Sequence, residues 1–67
     1  MEVIPLQERR LFVYNARQQD GRTRRTVLTI ADRENKPLIT FNEEEYEELK
    51  KQMPKIKEHF VRYQKKL

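Results

Sequence analysis

RLFVYNARQQDGRTRRTVLTIA, residues 10–31, decides the fold. Two runs rich in β-branched and aromatic residues, 10–16 and 26–31, flank Gln19-Asp20-Gly21-Arg22, and such runs read as strands. Asp-Gly between them is the strongest short hairpin signal, because Gly reaches φ > 0 at no steric cost. A two-residue turn at Asp20-Gly21 makes cross-strand partners sum to 41, pairing Leu11 with Ile30, Phe12 with Thr29, Val13 with Leu28 and Tyr14 with Val27. Leu11, Val13, Leu28 and Ile30 then share one face. Arg10, Phe12, Tyr14, Ala16, Arg25, Val27 and Thr29 share the other. A four-residue loop centred on the same turn keeps this parity, whereas a one-residue slip scrambles it.

Working outward, Asp32 to Pro37 reads as a second turn and Leu38-Ile39-Thr40-Phe41 as its return strand. Centring the turn on Glu34-Asn35 pairs Ile30 with Ile39 and Leu28 with Phe41, which extends the same apolar face. On the N-terminal side, Glu2-Val3-Ile4-Pro5-Leu6 reads as a further strand. Pro5 cannot donate to a ladder, which places this strand at an edge.

Beyond Phe41 the period changes from two to 3.6. Asn42 is a favoured N-cap, and Glu45 three residues on completes a capping box. Tyr46, Leu49, Met53, Ile56, Phe60, Tyr63 and Leu67 follow at alternating steps of three and four, one stripe of a helix. Glu43, Glu44, Glu45, Glu47 and Glu48 crowd its start, and Arg62, Lys65 and Lys66 its end, both complementing the helix dipole. Pro54 lies off the stripe, and a kink is expected there. The chain thus reads as a single α+β domain over 1–67: an antiparallel meander of three to four strands (1–41), then one long C-terminal amphipathic helix (42–67). Such a helix is about 37 Å long at 1.5 Å per residue, longer than strands of about 17–20 Å. Tyr46, Leu49 and Met53 are expected to cover the sheet. Phe60, Tyr63 and Leu67 are expected to overhang it and form a dimer or partner interface.

Composition narrows the function. Sixty-seven residues make a marginal core, and there is no cysteine for a disulfide, so self-association is the expected reinforcement. No run is long and apolar enough to span a membrane, no signal-peptide core follows Met1, and the expected location is cytoplasmic or nucleoid-associated. Fifteen Lys and Arg against 11 Asp and Glu leave a net charge of +4. Six of the eight basic residues in 1–41 lie between Arg9 and Arg25, in or beside the first hairpin. With no Ser, no Cys, one His (His59) and one Gly (Gly21), nucleophilic triads and Gly-rich phosphate loops lack their parts. No enzyme activity, metal or cofactor is expected.

The stretch Ile39-Thr40-Phe41-Asn42-Glu43-Glu44-Glu45-Tyr46-Glu47-Glu48-Leu49-Lys50-Lys51-Gln52-Met53 resembles the last strand and helix start of the transcriptional positive-cofactor-four family. It departs at Tyr46, where Trp is common, and at Lys36-Pro37, where Lys-Gly is often found. The resemblance implies a four-stranded sheet with one C-terminal helix, a homodimer, and binding of single-stranded nucleic acid in transcription or DNA maintenance.

Phe12 and Tyr14, with Arg10 and Arg25 beside them and Arg17, Arg22 and Arg24 near the hairpin tip, suit that expectation independently. Bases stack on rings and arginines track phosphates. The competing reading is that these aromatics are covered by other parts of the protein and the basic tip is a solvated turn. The leading expectation is a homodimeric binder of single-stranded DNA or RNA, working with a transcription or replication protein. The alternative is a protein-interaction module that regulates a larger enzyme, such as a polymerase, through its helix or a strand edge.

Overall fold

Asp20 closes the first hairpin in a four-residue loop. Its Oδ1 accepts from the backbone N–H groups of Arg22 (2.9 Å) and Thr23 (3.0 Å), and the Thr23 hydroxyl donates to the same carboxylate. Gly21 sits at φ +71° and donates to the Gln18 carbonyl. The strands it joins, β2 (Arg9–Arg17) and β3 (Arg24–Ala31), pair from Arg10 with Ala31 to Arg17 with Arg24. Every pair sums to 41, as the turn predicts.

The computed structural model describes residues 1–65. Its four strands form one antiparallel sheet in the order β1-β2-β3-β4, followed by a single helix α1 (Glu43–Lys65). The edge strand β1 (Glu2–Leu6) carries Pro5 and pairs Glu2 with Val13 through Leu6 with Arg9. Opposite it, β4 (Pro37–Phe41) pairs Leu28 with Phe41, Thr29 with Thr40 and Ile30 with Ile39. The register then slips, so that Ala31 faces Pro37 and Leu38 is bulged out. The loop responsible is built on Asp32, whose Oδ1 accepts from the Glu34 and Lys36 N–H groups at 2.9 Å, with Asn35 at φ +66°.

The capping box at the start of α1 is reciprocal. Glu45 N–H donates to Asn42 Oδ1 at 2.8 Å, and Asn42 N–H donates to Glu45 Oε1 at 3.0 Å. The helix runs through Pro54 without interruption.

Only the beginning of this helix meets the sheet. Leu49 is half-buried, but every residue from Lys50 to Gln64 is exposed. Met53, expected to cover the sheet, is 50% exposed. The reason is the launch of the helix: an end pinned by the cap beside β4 carries the stripe away from the strands after two turns. The molecule extends 51 Å along its long axis. Within one chain the only buried residues among those described are Ala31 and Thr29, and no large side chain is fully buried.

Candidate nucleic-acid interface

Pairing lengths give the sheet an arm. β1 stops at Val13 and β4 stops opposite Leu28. Residues 14–27 of the central hairpin therefore continue past both neighbours as a two-stranded projection. Arg17 and Arg24 are a cross-strand pair near its tip, and Arg22 lies in the loop. Among the described residues none of these three arginines is ion-paired with a carboxylate. Asp20, the acid nearest to them in sequence, spends its oxygens on the loop N–H groups and the Thr23 hydroxyl. Those bonds, the Thr23 N–H first and then that of Arg22, hold its carboxyl below the ordinary value of 3.8.

Alternation along the strands places Arg10, Phe12, Tyr14 and Arg25 on one face. Phe12 and Tyr14 are half-buried there and line a shallow hollow of about 230 Å³ with Thr29, Ala31 and Pro37. The Tyr14 hydroxyl lies 2.9 Å from Thr29 Oγ1, which lies 2.8 Å from Thr40 Oγ1. This hydroxyl row crosses three strands and fixes the Tyr14 ring from its far end. Buried polar atoms must find partners, and Thr29, 4% exposed, finds two.

The predicted residues are not all gathered into one surface. Arg17 and Arg24 have the parity of Leu11 and Val13, so the pleat directs them to the opposite face of the arm from Phe12 and Tyr14. Arg10 turns back, donating from Nη1 to the Gln7 carbonyl at 3.0 Å and the Arg9 carbonyl at 2.9 Å, and so braces the tight β1–β2 turn where Gln7 has φ +50°. Arg25 is paired with Glu44 at 2.9 Å. The Glu44 carboxyl is held below its ordinary 4.5, first by its own backbone N–H and then by the Arg25 charge. Glu44 thus neutralises one cation of the rim. In the expected partner interface, Phe60 and Tyr63 are 62% and 63% exposed. Leu67 lies outside the described residues.

Thr29 and Thr40 had no role in the sequence reading, yet the register already sets them opposite each other and beside Phe12. Glu44 was missed because its reach to Arg25 depends on where the helix departs. Among the described residues no cluster of His, Asp or Glu could hold a metal ion, and no helix is long and apolar enough to cross a membrane.

No curated protein and no solved structure matches this chain. A family model described as an Apicomplexa microprotein does match it, over residues 2–67. The chain belongs to this Apicomplexa microprotein family.

Proposed function

We propose that this protein is a homodimeric binder of single-stranded nucleic acid that acts in transcription or DNA maintenance. The projecting β2–β3 arm would capture phosphates, and the Phe12/Tyr14 hollow would receive bases. The observation that carries this reading is the arm itself: Arg17, Arg22 and Arg24 stand on a hairpin that outruns its neighbours, none of them ion-paired among the described residues. Cations on such a projection meet a polyanion with little desolvation of anything else, which favours electrostatic, salt-dependent capture. Two aromatic rings at the root of the arm add a sequence-tolerant stacking surface, worth about 1–3 kcal/mol per stacked base. The resemblance of residues 39–53 to the positive-cofactor-four family supports the same reading.

Fluorescence anisotropy of a labelled single strand of about 20 nucleotides, and of its duplex, tests it at two salt concentrations. The expected outcome is preference for the single strand, with a log–log salt slope near about −0.7 for each phosphate contacted. Arg17→Glu, Arg22→Glu and Arg24→Glu combined should abolish binding while leaving the far-UV circular dichroism unchanged. Equal binding by this variant would refute the arm as the contact surface.

A further inference from the structure

We infer that a second copy of this chain covers the apolar sheet face by laying the distal half of its helix, Met53 to Tyr63, across it, each copy doing this for the other. This gives a structure to the self-association in the function proposed above, and it stands whether or not nucleic acid binds.

The face to be covered is built by the pairing register. Ile4, Leu11, Val13, Leu28, Ile39 and Phe41 share one side of the sheet, and with Tyr46 several of them line an open groove of about 580 Å³ beside the first turns of α1. Among the described residues, nothing in the same chain closes it. The helix is continuous from Glu43 to Lys65 and pinned at its cap, so its distal half cannot fold back. That half is itself exposed around its whole circumference, and it carries Met53, Ile56 and Phe60 in one line. Eleven helical residues span about 16 Å, close to the length of a five-residue strand at about 3.3 Å per residue.

The exposed area indicates how much is missing. A folded monomer of 8.3 kDa should expose about 4,600 Å², whereas this chain exposes 6293 Å². The excess is about 1,700 Å² per chain. Two chains burying it would make an interface of about 3,400 Å², within the range of obligate homodimers, roughly 2,000–5,000 Å². The radius of gyration agrees, at 15.1 Å against about 11 Å for a compact chain of this length.

Charge selects the pairing. Glu43 and Glu47 line the groove and Glu2 shares its face through its pairing with Val13, while the arginines of that face lie at its margins, Arg9 at the β1–β2 turn and Arg17 and Arg24 out on the arm. The arriving helix half brings Lys55, Lys57 and Arg62 against the single acid Glu58. Packing the two distal halves on each other instead would bring these cations together and leave the sheet bare. The reciprocal arrangement is isologous and closes at two copies.

Two measurements on the full chain without nucleic acid test this. Light scattering should give twice the 8.3 kDa chain mass at micromolar concentration, and Phe60→Glu should raise the dissociation constant ~30-fold or more, as loss of a buried aromatic anchor does. For the geometry, p-benzoylphenylalanine replaces Phe60, which keeps an aromatic there, and this protein is mixed with ¹⁵N-labelled unaltered chain. Photo-crosslinks to residues 11–13, 28–30 or 39–41 of the ¹⁵N chain are expected. Crosslinks to residues 50–64 of that chain, crosslinks confined to one chain, or a single-chain mass would each overturn the proposal.

Discussion

Thr29 is where the two faces of this sheet are tied to its interior. Its hydroxyl sits between those of Tyr14 and Thr40 in the most protected part of the single chain. Thr29→Val keeps shape but removes the hydroxyl that links Tyr14 to Thr40, and an intramolecular hydrogen bond contributes about 0.5–1.5 kcal/mol net. Urea unfolding should show a loss of that size with an unchanged m-value. Asp20 acts at the exposed end of the same strands. Its folded pKa is depressed, so its contribution is present above the unfolded value near 3.8 and is lost as pH falls through the lower folded value. Asp20→Asn should therefore be less stable than the parent at neutral pH, and the gap should close on acidification below about pH 4. Thermal melts at pH 7 and pH 3 check this.

Elements show which parts of the fold are local enough to read directly. Asn42→Ala removes both the acceptor for Glu45 N–H and the reciprocal bond's anchor geometry. It should cost about 1 kcal/mol and reduce helicity in circular dichroism. That cap, the helix stripe and the β2–β3 and β3–β4 registers were legible in the sequence because each depends on a few neighbouring residues: an Asp-Gly turn, an N-cap and period-two alternation. The Leu38 bulge was not legible, since the Asp32 loop that causes it is set by backbone bonds to Glu34 and Lys36. Coverage of the sheet by Met53 was misjudged because length and stripe do not fix the direction in which a helix leaves a strand. The site divides the same way. Phe12 and Tyr14 sharing a face follows from parity, and so does the placement of Arg17 and Arg24 on the other. The turn of Arg10 toward Gln7 and the capture of Arg25 by Glu44 depend on tertiary placement.

At the scale of the molecule, a sheet with one apolar face and a helix exposed from Lys50 to Gln64 make a fold that, on the proposal above, a second copy completes. Stability should therefore depend on protein concentration, because binding between copies stabilises the folded state by mass action. Each tenfold dilution should weaken assembly by about 1.4 kcal/mol, seen as a fall in melting temperature by scanning calorimetry between roughly 1 and 100 μM. A second copy placed as proposed on the apolar face and the helix stripe would leave the arm and the Phe12/Tyr14 hollow open to a ligand. The most direct test of that division of surfaces is a ¹⁵N NMR titration of the intact protein with a short single-stranded oligonucleotide at low salt. Shift changes concentrated in residues 10–17 and 22–29 are expected, with the helix from Lys50 to Gln64 unmoved. No change at saturating oligonucleotide, or changes confined to that helix, would contradict it.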